Sequence, residues 1–182
     1  MIIKNNLKAL NFAKKLDIDY SIDEFLSLDM FNPIIKKNYF NKYDLSIFKK
    51  KKFRTHVFGM GGSSLSTKLL SQFLNPYNLG KKLFIYDNPS PVVIRNALSD
   101  LNINKNDKFI FISKSGNTIE IKYFLDLVIK ILKQKKISKF VKDFIFISEN
   151  KNNYLRKFAQ KNNILCFDHD PNIGGRFSIF SI

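Results

Sequence analysis

Two hydroxyl-rich segments of this 182-residue chain have the composition of phosphate-binding loops. They are residues 59–66 (GMGGSSLS) and residues 113–120 (SKSGNTIE). Glycine lets the backbone approach an anion closely, and the N–H groups at the start of a helix point at it. Serine and threonine hydroxyls add donors for the three acceptor oxygens of a phosphate monoester. The two segments therefore predict a site for a small phosphorylated molecule.

The first segment also has features of nucleotide-binding loops. It lacks the Gly-Lys-Ser/Thr ending of a Walker A loop, which excludes that class. Gly59 and Gly61 fit a dinucleotide fingerprint, whereas Ser64 stands at the third glycine position. Asp87 closes the next apolar run, where a ribose-binding acid would lie. Dinucleotide binding, and simple close packing of a glycine-rich turn, stay open as alternatives.

The second segment has a purely structural alternative. Asn117 or Thr118 can cap the following helix, with Glu120 close to the N3 position of a capping box. Capping accounts for one hydroxyl but not for the two serines and the glycine that precede it. The segment therefore favours an anion-binding nest over a helix cap alone.

A third segment, residues 170–181 (DPNIGGRFSIFS), places Arg176 directly after two glycines. A fixed guanidinium beside a phosphate site can clamp the substrate or stabilise developing negative charge. The alternative is a surface arginine after a turn. We favour the functional role, because arginine is scarce in this chain and paired glycines permit close approach.

Five short apolar runs alternate with amphipathic stretches from Thr55 onward. Runs of this length, rich in isoleucine, phenylalanine and valine, are typical of parallel strands buried on both faces. The predicted strands are residues 55–59, 83–87, 109–113, 144–148 and 164–168. The alternation predicts an α/β fold with a doubly wound five-stranded parallel sheet over residues 55–182, after a helical lead-in at residues 1–54.

The predicted topology brings the two hydroxyl-rich segments together. In a flavodoxin-like strand order the first and third strands are neighbours, and ligands bind in the crevice at their carboxyl ends. The two segments follow those two strands, so both are expected to line the crevice. The third and fourth strands share the sequence FIFIS, but only the third is followed by a glycine and hydroxyls. The fourth is therefore interpreted as scaffold.

Composition excludes several classes of protein. Hydrophobic residues make up 45% and charged residues 25%, which indicates a globular domain. The single cysteine, Cys166, excludes an internal disulfide and fits a reducing cytoplasm, which is the expected location. Without a long apolar window free of charge, no membrane span is expected.

The net charge of +16 suggests a polyanionic partner, but its make-up argues against nucleic acid. Of the 31 basic residues, 27 are lysines and only four are arginines. Nucleic-acid sites depend on arginine for bidentate contacts and on clustered aromatic side chains. No specific nucleic-acid partner is therefore expected.

The three segments together resemble signatures of the glucose-6-phosphate isomerase family. GMGGSSLS, SKSGNTIE and GGRFSIFS occur in the family's order, and the resemblance spans about Thr55 to the last residue. The middle segment has the SKSG form of other sugar isomerase (SIS) domains. The resemblance implies two SIS domains and reversible isomerisation of glucose 6-phosphate and fructose 6-phosphate through a cis-enediol, without metal or organic cofactor.

The resemblance also implies roles for individual residues. Arg176 would stabilise the enediolate oxygens, and Glu120 would contact the sugar. The phosphate would be held by the serine and threonine side chains and by two backbone N–H groups, at Gly62, Ser63, Ser113, Lys114, Ser115 and Thr118.

By the same resemblance, the catalytic base is not among these residues. In the family it is a glutamate of the second SIS domain, accompanied by a histidine and a lysine. His56 is expected inside the first strand and His169 in the turn before Pro171, and neither falls in the family's histidine motif. We therefore expect an N-terminal fragment, dimeric when full length, that binds sugar phosphate without converting it. A non-catalytic SIS module that binds a sugar phosphate is the alternative.

Overall fold

The computed structural model describes residues 27–28, 54–74, 82–100, 107–137 and 140–174. The predicted helical lead-in lies outside these ranges apart from three residues, and Arg176 also lies outside them. Across the ranges described, no helix is long and apolar enough to cross a membrane.

Five strands occur where the apolar runs predict them. They are β1 (Thr55–Gly59), β2 (Leu83–Tyr86), β3 (Lys108–Ile112), β4 (Phe144–Glu149) and β5 (Leu165–His169). Each bound lies within one residue of its predicted position. His169 is therefore the last residue of a strand, and its predicted place in a turn is wrong.

Four α-helices connect or follow these strands. They are α1 (Gly62–Leu74), α2 (Pro91–Asp100), α3 (Ile119–Gln134) and α4 (Tyr154–Asn162). A short 3₁₀ turn, Val141–Asp143, leads into β4. Strands and helices thus alternate along the described part of the chain.

The strand order is β2-β1-β3-β4-β5, and every neighbouring pair is parallel. The predicted α/β class and flavodoxin-like order are confirmed. The chain leaves β1 toward β2 on one side and leaves β3 toward β4 on the other. This divergence opens a crevice at the carboxyl ends of β1 and β3, where sheets of this kind bind ligands.

Phenylalanines dominate the core of the sheet. Phe58 and Phe111 are partners in the β1–β3 ladder, and their rings stack with centroids 4.7 Å apart. Phe144 and Phe146 pack edge-on against Phe111. The helix α3 covers this layer with buried residues at helical spacing: Ile121, Phe124, Leu125, Val128, Ile131 and Leu132. These contacts fix the strand ends from which the hydroxyl-rich loops leave.

A buried polar network lies at the amino ends of β1 and β3, opposite the crevice. Asp107 accepts hydrogen bonds from Arg54 Nε at 3.0 Å and Nη2 at 2.7 Å. His56 Nε2 lies 3.4 Å from Asp107 Oδ2, and His56 Nδ1 lies 3.0 Å from the Tyr86 hydroxyl. His56 is fully buried between aromatic rings of β2 and β3. It is a core residue that links strands rather than a reactive group.

The two histidines predict how stability depends on pH. Burial lowers the pKa of both His56 and His169 below the ordinary value of 6.5. The folded chain keeps them neutral, whereas the unfolded chain takes up protons below that value. We therefore expect the free energy of unfolding to fall as the pH drops from about 7.5 to about 5.5.

Urea unfolding at a series of pH values, followed by circular dichroism, measures this dependence. His169→Leu removes one of the two groups and should make the curve shallower than that of the wild type. Equal slopes for the two proteins, or a flat wild-type curve, would contradict the assignment.

Candidate functional site

A cavity of about 400 Å³ opens at the carboxyl ends of β1 and β3. Its lining comes from the two hydroxyl-rich loops and from the end of β4. The lining residues are Met60, Gly62, Ser63, Ile112, Ser113, Lys114, Ser115, Thr118 and Glu149. The structure thus brings all six residues of the predicted phosphate set, Gly62, Ser63, Ser113, Lys114, Ser115 and Thr118, to one cavity; they are called the hydroxyl cradle below.

The first loop delivers Ser63 to the cavity at the start of α1. Ser64 and Ser66 instead turn their hydroxyls back to carbonyl oxygens of the first helical turn, at 2.9 and 2.8 Å. The Ser63 hydroxyl makes no hydrogen bond to another described residue. The first N–H groups of a helix also lack intrahelical acceptors. The loop therefore offers one hydroxyl and a set of backbone donors to an anion.

The second loop folds around a bond between two hydroxyls. Ser113 Oγ and Thr118 Oγ1 lie 2.7 Å apart, and the Gly116 N–H donates to Ser113 Oγ at 3.0 Å. Thr118 occupies the N-cap position of α3, but within the described residues its side chain makes no capping hydrogen bond. Glu120 stands at the second helical position and not at the third, so the capping-box alternative is not what the loop forms.

Gly116 lets this loop dock onto the start of α4. Its φ is +67°, and a Cβ atom there would lie 2.1 Å from Asn153 Oδ1. Asn153 caps α4 by accepting from the Arg156 N–H at 2.9 Å, and the Leu155 N–H donates to the Gly116 carbonyl at 3.1 Å. Only glycine satisfies both the backbone conformation and the space at this position.

The acidic residue Glu149 lies in the same cavity, at the end of β4. Its carboxylate is 2.8 Å from Lys151 Nζ and 3.6 Å from Lys114 Nζ. A hydrogen bond from Lys151 and the charge of Lys114 lower the pKa of Glu149, although its burial opposes this. Lys114 also donates to the Pro171 carbonyl at 2.9 Å. The cradle's lysine side chain is therefore already engaged with other groups of the chain.

The interpretation of β4 as scaffold missed Glu149. Its strand matches β3 in sequence, and the acidic residue that follows carries no glycine or hydroxyl beside it. The signal was topological, because β4 is the next neighbour of β3 in the sheet. Any polar residue at its carboxyl end lies close to the loop that leaves β3.

Several other predicted residues lie away from the cavity or outside the described ranges. Glu120 is half-buried in the first turn of α3 and does not line the cavity. Asp87, the acid of the dinucleotide alternative, forms an ion pair with Lys68 of α1. Arg176 lies beyond the described residues, so its role stays a prediction. Across the described residues, no cluster of histidine, cysteine and acidic side chains has the arrangement of a metal site.

Comparison with known proteins gives matches over most of the chain. A family model described as phosphoglucose isomerase matches residues 47–182. The probable glucose-6-phosphate isomerase of Methanococcus maripaludis is 32% identical over 179 residues, which cover 96% of this chain and 38% of the relative. The glucose-6-phosphate isomerase of Campylobacter jejuni is 36% identical over 124 residues, which cover 68% of this chain and 30% of the relative. The chain thus spans about a third of the length of these relatives.

Two solved structures are similar in both fold and sequence. A hypothetical protein from Thermus thermophilus has a TM-score of 0.63 and 27% identity, over 70% of this chain and 30% of that one. A glucose-6-phosphate isomerase from Chlamydia trachomatis has a TM-score of 0.57 and 26% identity, over 70% of this chain and 24% of that one.

Proposed function

Because the chain belongs to the phosphoglucose isomerase family, we propose that its hydroxyl cradle binds the phosphate group of glucose 6-phosphate or fructose 6-phosphate. The observation that carries the proposal is the convergence of both hydroxyl-rich loops on one cavity of about 400 Å³. That volume lies within the usual range for small-molecule sites. Either loop alone would be explained by helix capping or close packing.

The donors of the cradle suit a phosphate monoester. Ser63 offers a hydroxyl that the fold leaves available, and α1 and α3 present their amino ends to the crevice. Backbone N–H groups and the helix dipole favour a negative charge at such a position. Binding through neutral donors selects for the geometry of the phosphate group, whereas free lysines would attract any anion.

For catalysis we propose the roles that the family resemblance gives to two further residues. Isomerisation through a cis-enediol needs a base at the carbon next to the carbonyl and electrophilic help at the oxygens. Arg176 would supply the electrophilic help, and Glu120 would contact the sugar. The base is proposed to be a glutamate that is not among these 182 residues, so this chain by itself binds the substrate without turning it over. No metal or organic cofactor is required by this chemistry.

Ser63→Ala tests the cradle, and the neighbouring Ser64→Ala is its matched control. Ser63 lines the cavity, whereas the Ser64 hydroxyl is bound to the Gly61 carbonyl. Loss of one hydrogen bond to a charged phosphate should weaken fructose 6-phosphate binding by roughly tenfold or more. Calorimetric titration of the chain with fructose 6-phosphate measures the loss, and Ser64→Ala should bind like the wild type.

Three outcomes would count against the proposal. Equal affinities of wild type and Ser63→Ala would place the ligand elsewhere. Thermal stabilisation by a dinucleotide but not by fructose 6-phosphate would favour the nucleotide alternative. Robust isomerase activity of the 182-residue chain in a coupled assay would show that a base is present within it.

A further inference from the structure

A carboxylate is the unexpected component of a cavity otherwise suited to an anion. Glu149 is only 8% exposed and lines the cavity together with the hydroxyl cradle. A buried acidic group beside a phosphate site repels the ligand unless its charge is balanced. Its presence therefore bears on which phosphorylated molecules the cavity accepts.

The fold holds Glu149 firmly in this place. Its N–H donates to the Lys114 carbonyl at 2.9 Å, which continues the β3–β4 ladder into the loop. Its carbonyl accepts from Asn153 Nδ2 at 3.2 Å and from Arg156 Nε at 3.3 Å. The backbone is thus tied to both flanking elements, so the carboxylate stays at the cavity when a ligand arrives.

The charges around the carboxylate are balanced by two lysines. Lys151 and Lys114 each approach one of its oxygens, so the three side chains together carry a single positive charge. Lys151 is largely exposed, whereas Lys114 reaches across to the carbonyl of Pro171. Neither ammonium group is free to bind a phosphate without giving up a contact to Glu149.

A carboxylate accepts hydrogen bonds and donates none when ionised. Bare phosphate in the cradle would experience its negative charge with nothing in return. A sugar phosphate brings hydroxyl groups, and a hydroxyl that donates to a carboxylate forms a strong, charge-assisted bond. The same side chain therefore opposes one ligand and supports the other.

We propose that Glu149 is a specificity-determining residue, whose carboxylate disfavours bare phosphate in the hydroxyl cradle and favours a phosphate ester with a hydroxyl that reaches it. The inference rests on the proposed function, because it takes the cradle as the phosphate site. It adds to that function a reason why a basic chain in a phosphate-containing cell would not hold inorganic phosphate in its site.

Glu149→Gln tests the inference, because it removes the charge and keeps the shape of the side chain. Affinities for inorganic phosphate and for fructose 6-phosphate are measured by calorimetry at constant ionic strength. We expect the variant to bind inorganic phosphate about fivefold more tightly and to lose at least about fivefold of its preference for the sugar phosphate. Asp126→Asn, an exposed site on α3, is the control for net charge and should change neither value.

Two further measurements make the result independent of one variant. Glu149→Leu removes the acceptor as well as the charge and should lose more of the preference than Glu149→Gln. The wild type should bind fructose 6-phosphate more tightly than hexyl phosphate, a monoester without hydroxyl groups. If hexyl phosphate binds as well as the sugar phosphate, the inference is wrong.

The outcomes separate this inference from the proposed function. Binding of fructose 6-phosphate with an unchanged preference in Glu149→Gln overturns only the role of Glu149. Weaker binding of both ligands also overturns it, because it would show that the carboxylate merely positions Lys114. Absence of any phosphate or sugar-phosphate binding by the wild type overturns the proposed function and the inference together.

Discussion

Gly116→Ala is expected to destabilise the chain by about 3 kcal/mol and to abolish measurable sugar-phosphate binding. The new methyl group meets Asn153 at a distance that no side-chain carbon can occupy, and the positive φ adds backbone strain. Asn153 is the cap of α4, so any movement that relieves the clash also disturbs the start of that helix. The second loop would then lose the arrangement that places Ser113 and Thr118 at the cavity.

Gly61→Ala is the matched control for this variant. Gly61 also has a positive φ, +58°, but a Cβ atom there has no atom within 4 Å. It therefore carries the backbone strain without the clash, and its cost should be only about 1 kcal/mol. Urea unfolding and calorimetric titration of the two variants measure the difference.

Asn153→Ala, combined with Gly116→Ala, separates the clash from the strain. Removing the Asn153 side chain makes room for the new methyl group at the cost of the helix cap, about 1 kcal/mol. The double variant should be clearly more stable than the sum of the two single losses predicts. Additive losses, or equal stabilities of Gly116→Ala and Gly61→Ala, would show that the contact with Asn153 is not what requires glycine.

The topology was predictable from sequence because the strands are buried on both faces. Each strand is then a short, nearly continuous apolar run, and turn residues mark its end to within one residue. The strand order placed the two loops of the hydroxyl cradle side by side before any coordinates were considered. The six predicted phosphate ligands line one cavity for this reason.

Residues that act across the sheet were harder to predict. Glu149 belongs to the cavity through strand adjacency, and nothing in its local sequence marks it. The leucines of α1 show a related difficulty, since Leu65, Leu69 and Leu70 recur at helical spacing and are nonetheless exposed. Spacing predicts a helix, but it does not say which surface, if any, covers an apolar side chain.

Scarcity of arginine is weaker evidence of function than the sequence suggested. Arg156 joins β4 to β5, because its Nη2 donates to the Ser148 carbonyl at 2.7 Å and to the Phe167 carbonyl at 3.2 Å. Arg54 forms a bidentate pair with Asp107. Two of the four arginines thus hold the scaffold together. The argument for Arg176 depends on its paired glycines and on the family resemblance, and not on rarity.

Asp107→Ala is expected to destabilise the chain by about 3–5 kcal/mol, which is the second large effect. The variant leaves Arg54 without its bidentate partner and removes the carboxylate beside the buried His56. Asp107 is 2% exposed, so water cannot replace the lost contacts without opening the core. Chemical unfolding of the variant against the wild type measures the loss.

Asp87→Ala is the control, because it breaks an ion pair of the same charge type on the surface. The pair of Asp87 with Lys68 is partly exposed on both sides, so its loss should cost less than about 1 kcal/mol. Comparable losses for the two variants would refute the idea that burial makes the Arg54–Asp107 pair costly to break.

The network and the cavity lie at opposite edges of the sheet, which gives Asp107→Ala a second readout. The folded fraction of the variant should bind fructose 6-phosphate with the affinity of the wild type, whereas Gly116→Ala should lose binding even where it is folded. This contrast would separate residues that maintain the fold from residues that shape the site. A large loss of affinity in folded Asp107→Ala would instead mean that the amino ends of β1 and β3 are coupled to the hydroxyl cradle through the strands themselves.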